Sequence, residues 1–251
     1  MRPGEPIAVP ETLGQALAGR LASLSEQARH LLLGLAAISR PDEAILRGIE
    51  PHARAAIEEG IKAQVLERRE GELRFIHPLV ASVIYGMSDP ADRHRWHAQL
   101  ARLVADREER ARHLALAASG PDESVAASVE EAARLANTRG APDAAAELAE
   151  QAADLTPPAL QGEAERRRIM TAEYRLRTGD VPEALAMLRA ILSASDWQAR
   201  PAEALRLMGN ILFSLGDLQE SEQSLADALA RTGDDAERQA MILRDLILAV
   251  S

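Results

Sequence analysis

Apolar residues recur along this chain at helical spacing almost from end to end. Leu13, Leu17, Leu21 and Leu24 fall three to four apart and predict a weak helix over 12–24. Ser23 and Glu26 then have the S-x-x-E spacing of a capping box. Behind it, Ala28, Leu31, Leu32, Leu35 and Ala36 mark a buried helical stripe. Pro41 stops that helix, and further helices are predicted over 42–49 and 53–65. The pattern then changes. Val65–Arg68 and Leu73–Ile76 are two short runs around a loop containing Gly71, which predicts a β-hairpin. Three helices followed by a hairpin is the order of a winged helix. His77-Pro78 closes the hairpin, and helices resume over 79–85 and 90–105, the second carrying Trp96, Leu100, Leu103 and Val104 on one side.

From about residue 108 the pattern reads as helix pairs. Gly140, Gly179 and Gly216 each close a helix before a short turn, and they lie 39 and 37 residues apart. A tetratricopeptide repeat runs about 34 residues, so these pairs have slightly longer connections. The third pair fits best, with Met208-Gly209, Leu212, Gly216-Asp217, Ser221, Leu225 and Ala228-Leu229 at the positions where such a repeat alternates small and large residues. Stacked pairs leave a concave face suited to a peptide, a protein or a small inducer. Arg134, Arg175 and Asn210, on the first helices of the pairs, are the candidate lining residues.

The predicted fold is therefore mainly α: a winged-helix-like domain with one short β-hairpin, followed by a tetratricopeptide-like helical-repeat array. The expected division is a lead-in over 1–22, the winged-helix-like domain over 23–107 and the repeats over 108–251. The apolar run from Leu243 to Ser251 carries no cap and no Gly or Pro stop, so the array is expected to be truncated at its C-terminus.

Composition narrows the core and the partners. Aromatic residues make up only 2%, so the interior must be built from Leu, Ala, Ile and Val, a mixture that suits close-packed helices. The net charge of −10 opposes nonspecific attraction to nucleic-acid phosphates. No cysteine is present, which excludes disulfides and thiolate metal sites and suits the cytoplasm, the expected location. The first ten residues lack the apolar core of a signal peptide, and Leu31–Ile38 is too short to span a bilayer, so no membrane partner is expected.

Candidate chemistry is sparse. A P-loop needs a lysine after a glycine-rich turn, yet the only lysine, Lys62, lies within a predicted helix. No G-x-G-x-x-G, H-E-x-x-H or G-x-S-x-G run occurs. His94 and His97 stand at i, i+3, flanked by Arg93 and Arg95 and without a third ligand, and are expected on a solvated face; no metal site is assigned. Arg166-Arg167-Arg168 is expected to be an exposed helix start. Arg54 and Lys62 are offset by Glu58 and Glu59, so the third helix lacks the basic footprint of a DNA reader and direct nucleic-acid contact is not expected. No catalytic residue is assigned, and the chain is expected not to be an enzyme.

Several segments share a pattern. Leu73-Arg74-Phe75-Ile76-His77-Pro78-Leu79-Val80, Ser82 and Ile84-Tyr85 resemble the R-F-x-H-P-L signature of large ATP-binding LuxR-type transcriptional regulators. So do Arg93…Trp96-His97…Leu100-Ala101, Arg112-His113-Leu114-Ala115, Arg139-Gly140-Ala141 and Leu155-Thr156-Pro157. Val9-Pro10-Glu11-Thr12-Leu13 is similar to the link that follows the ATPase module of that family. The resemblance implies a signal-transduction ATPase whose nucleotide-binding module and C-terminal DNA-binding helix-turn-helix lie outside this chain. It makes residues 1–22 a linker from that module. ATP or ADP is then a cofactor of the missing module, with none in this chain. It also implies that His77 senses nucleotide, because a winged-helix histidine in related switch proteins contacts the phosphates of ADP. Local helix capping by His77 is the other reading. The implied partners are the chain's own ATPase and DNA-binding domains and an unknown protein or small-molecule inducer. The same arm attached to a cyclase or kinase module, or a free-standing tetratricopeptide adaptor, are the alternatives.

Overall fold

The computed structural model describes residues 19–38, 43–50, 52–69, 72–194 and 201–250. Most of the lead-in expected over 1–22 therefore lies outside the described residues, as do Pro41, Gly71 and Trp197. The chain divides into two compact units, residues 1–119 and 120–251.

The first unit contains α1 (Glu26–Ala37), α2 (Glu43–Ile49), α3 (Ala53–Lys62), β1 (Leu66–Arg69), β2 (Glu72–Phe75), α4 (Pro78–Met87), α5 (Pro90–Leu103) and α6 (Arg107–Ala117). The cap of α1 differs from the expected Ser23/Glu26 box. Ser23 Oγ is occupied by the Arg20 carbonyl at 2.7 Å. Ser25 is the N-cap, its Oγ accepting from the Ala28 N–H at 3.1 Å. The reciprocal carboxylate comes from α3, where Glu59 accepts the Ser25 N–H at 2.5 Å and its hydroxyl at 2.7 Å. Helix α3 stops at Lys62 rather than Val65 because Gln64 adopts a left-handed φ of 54°. The strands pair antiparallel from Leu66↔Phe75 to Arg69↔Glu72, one residue offset from the expected runs, and the Ile76 N–H still donates to the Val65 carbonyl at 3.2 Å.

The core of this unit gathers Leu31, Leu32, Leu35, Leu46, Ile57, Leu66, Val80, Trp96 and Leu100. Trp96 is 1% exposed and lies on Gly34, where an added Cβ would meet the indole ring at 2.5 Å. No residue of α6 belongs to that core. Even so, α6 packs on α5 and lies within the first unit.

The second unit is a succession of helices: α7 (Glu123–Thr138), α8 (Pro142–Asp154), α9 (Gln161–Arg177), α10 (Val181–Ala194), α11 (Ala202–Leu215), α12 (Leu218–Arg231) and α13 (Ala236–Val250). Each packs on the next, forming helical repeats in sequence order. Gly140, Gly179 and Gly216 follow α7, α9 and α11 with φ of 81°, 85° and 84°. A Cβ is disfavoured there, which is why glycine closes the first helix of each pair. The early interior is lined by alanines, among them Ala126, Ala133, Ala136, Ala145, Ala149 and Ala152. Farther along, Gly209 lets α12 approach α11: an added Cβ would stand 2.7 Å from Leu225 Cγ, and Ser221 Oγ donates to the Gly209 carbonyl at 2.8 Å. No helix among the described residues is long and apolar enough to cross a membrane.

Candidate functional site

His77 sits exposed between β2 and α4, in extended backbone ahead of Pro78. Its Nδ1 accepts the Leu79 N–H at 3.2 Å, so it caps α4. In the neutral ring, an accepting Nδ1 places the proton on Nε2. That nitrogen is a donor with no partner among the described residues. Capping and donation to an outside acceptor are therefore compatible in this one side chain.

Arg134, Arg175 and Asn210 lie on α7, α9 and α11, and each is held by a carboxylate of this chain rather than by the others. Arg134 pairs with Glu130, and with Glu131 at 3.7 Å. Arg175 reaches Glu150 of α8 at 3.2 Å. Asn210 donates to Asp245 of α13 at 3.0 Å, where Arg206 also arrives at 3.2 Å. Burial works against ionisation of Asp245, but hydrogen bonds from Asn210, Arg244 and Arg206 outweigh it and lower its pKa.

The expected exposed arginine cluster is split by the fold. Arg166 and Arg168 are exposed, but Arg167 is 1% exposed. Arg167 grips Glu123 with both terminal nitrogens at 2.6 and 2.8 Å, Glu130 through Nε at 2.8 Å, and the Thr156 hydroxyl at 2.6 Å. Arg166 adds a bidentate pair to Glu130, both bonds at 2.7 Å. Glu130 thus accepts from Arg134, Arg166 and Arg167 together. Burial opposes its ionisation, yet the hydrogen bonds from Arg166 and Arg167 hold its pKa at about 2. The sequence signal for this network is slight. Glu123 and Glu130 stand seven apart on one helix, but Arg166 and Arg167, which reach them from α9, are 36 to 44 residues away.

The expectation for His97 is also corrected. His94 is exposed, whereas His97 is 0% and His113 1% exposed. His97 Nε2 meets the Tyr85 hydroxyl at 2.8 Å, and its Nδ1 meets His113 Nδ1 at 2.9 Å. A helix of 3.6 residues per turn puts i and i+3 near one face, but Trp96 and Leu100 pull His97 inward. No group of three or more metal-binding side chains occurs among the described residues.

A cavity of about 640 Å³ in the first unit is lined by Leu21, Leu32, Leu33 and Ile84 together with Arg29, His30, Glu50 and Arg95. His30 pairs with Glu50 at 3.5 Å and lies over Trp96, ring centroids 5.0 Å apart.

No family model matches this chain, and no curated protein matches it. Among solved structures it is similar to a Signal Transduction ATPase with Numerous Domains (STAND) protein with a tetratricopeptide repeat sensor, from Pyrococcus horikoshii. The two are 12% identical with a TM-score of 0.45, and the match covers 97% of this chain. The chain spans 41% of the length of that protein.

Proposed function

We propose that this chain is a non-catalytic regulatory and sensor arm of an ATP-dependent transcriptional regulator of LuxR type. In this reading the first unit is a winged-helix-like hinge that follows the nucleotide state of an ATPase module through His77. The second unit presents its first helices to a protein or small-molecule inducer in the cytoplasm.

The observation that carries the reading is the way polar side chains of α7, α9 and α11 are held. Arg134, Arg175 and Asn210 are each held in place by a carboxylate of the same chain. Groups positioned this way need little ordering on binding, and an incoming carboxylate competes for them in a salt-dependent manner.

Thermal-shift titration of the chain with small carboxylate metabolites and acidic peptides tests the sensor half. At least one probe raises the melting temperature, and the Arg134→Glu, Arg175→Glu, Asn210→Ala triple variant loses that rise. If no probe shifts the wild type, the sensor reading fails. For the hinge half, His77→Ala in the full-length parent weakens ADP retention and raises basal activity. Unchanged values of both rule out nucleotide sensing by His77.

A further inference from the structure

The cavity of about 640 Å³ in the first unit involves neither His77 nor the repeats. Its size falls within the range of small-molecule pockets, about 300–1,000 Å³. Helices α1, α4 and α5 contribute to its lining, with Leu21 and Ala22 ahead of α1 and Glu50 after α2.

The apolar part of the lining is free of aromatic rings. Leu21, Leu33 and Ile84 are buried, and Met87 joins them from the last turn of α4. Met87 is 67% exposed, against 46% for Leu103 and 39% for Ile76, the other large apolar side chains left exposed in this unit. It does not belong to the unit's core. An unbranched thioether adapts its shape to an apolar neighbour, so Met87 is suited to closing over a bound aliphatic group.

The charged part of the lining is almost balanced within itself. Arg95 pairs with Asp92, and His30 pairs with Glu50 at 3.5 Å. His30 is also held against the Trp96 ring, centroids 5.0 Å apart. Glu26 and Arg29 remain. Both are exposed, and neither has a partner among the described residues. They stand one helical turn apart on α1, where opposite charges are close enough to pair, yet they do not pair with each other. The cavity is thus left with one unmatched cation, one unmatched anion and aliphatic walls. A simple acid would satisfy Arg29 but bring its charge beside Glu26. A simple amine would do the reverse at Arg29. A molecule carrying both charges and an apolar body matches all three features.

We infer that this cavity binds an aliphatic zwitterion, either an amino acid or a short peptide with free ends. Its carboxylate pairs with Arg29, its ammonium pairs with Glu26, and its aliphatic body packs on Leu21, Leu33, Ile84 and Met87. The site is separate from the inducer site proposed on the repeats.

Isothermal titration of the full chain with leucine and with dileucine tests this. At least one of them binds saturably, with a Kd of about 1 mM or tighter. Tighter binding of leucine assigns the site to an amino acid, and tighter binding of dileucine assigns it to a peptide. Isocaproate, which lacks the ammonium, and isoamylamine, which lacks the carboxylate, bind at least fivefold more weakly than leucine. Arg29→Ala and Glu26→Ala change exposed side chains and each weaken binding at least fivefold, whereas Arg175→Glu in the second unit leaves it unchanged. The assignment is overturned if neither zwitterion binds, or if either singly charged analogue binds as tightly as leucine and dileucine. It is equally overturned if Arg29→Ala and Glu26→Ala keep full affinity, or if Arg175→Glu abolishes binding.

Discussion

The two units are both helical, yet their interiors solve different problems. The first packs large side chains, with Trp96 against Gly34 among leucines, and it also holds a hydrogen-bonded chain of two imidazoles and a phenol. The second packs alanines, and where α7 meets α9 it buries a full guanidinium against two carboxylates. Close-packed alanine helices leave less apolar area to remove from water, so ionic pairs take a larger share in fixing how the helices sit. Buried ion pairs specify geometry more than they stabilise, because desolvation offsets much of the attraction.

The largest test of this contrast is Arg167→Met. It removes one of the three arginines on the buried Glu130 and leaves the Thr156 hydroxyl without its guanidinium, while the part-exposed Glu123 turns to solvent; losing hydrogen bonds to a buried charged group costs about 1.5–3 kcal/mol. Urea unfolding followed by helix-resolved hydrogen exchange should place that loss in α7–α9 and leave α1–α5 unchanged. A uniform loss across both units would erase the distinction.

A pH titration sharpens it. His97 has a folded pKa of about 3 against an ordinary 6.5, so its contribution is complete above pH 6.5 and is lost as pH falls towards 3. Glu130 has a folded pKa of about 2 against 4.5, so its contribution is lost only as pH falls from 4.5 towards 2. At pH 5 the first unit should therefore weaken by about 2 kcal/mol while the second is nearly unaffected. Hydrogen exchange at pH 7.5 and pH 5 reads both at once.

Steric substitutions come next. Gly34→Ala drives a methyl into the Trp96 ring, and Gly209→Ala drives one into Leu225. Overpacking costs about 1–3 kcal/mol, and the rigid indole should make Gly34→Ala the worse of the two by thermal melting. The smallest effect is at the caps. Ser25→Ala and Asp122→Ala each remove an N-cap, at about 1 kcal/mol. Each also breaks one hydroxyl bond, Ser25 to Glu59 in the first case and Ser124 to Asp122 in the second, so the two losses should be similar.

Much of this architecture is legible in the sequence. Period-3.6 stripes locate the helices, Gly140, Gly179 and Gly216 mark where first helices end, and the two β-runs flank the hairpin turn. Interior polarity is not legible. Arg167 stands between two arginines that stay exposed, and His97 stands three residues from a histidine that stays exposed. Local pattern assigns such residues to the surface, and only partners brought close by the fold take them inside. The Ser25 cap failed to show for the same reason: its carboxylate, Glu59, is 34 residues away. Of the candidate site, the positions of Arg134, Arg175 and Asn210 on first helices were legible, and the carboxylates that hold them were not.

Glu130 has a consequence for descent. One carboxylate serves three guanidiniums from two helices. Losing the acid takes a partner from the buried Arg167, and losing Arg167 takes one from the buried Glu130, so single steps away from this arrangement are costly in either direction. Lineages that drift here should change Glu123, Glu130, Arg166 and Arg167 as a block, passing to an apolar set together, while the exposed Arg168 next door varies freely.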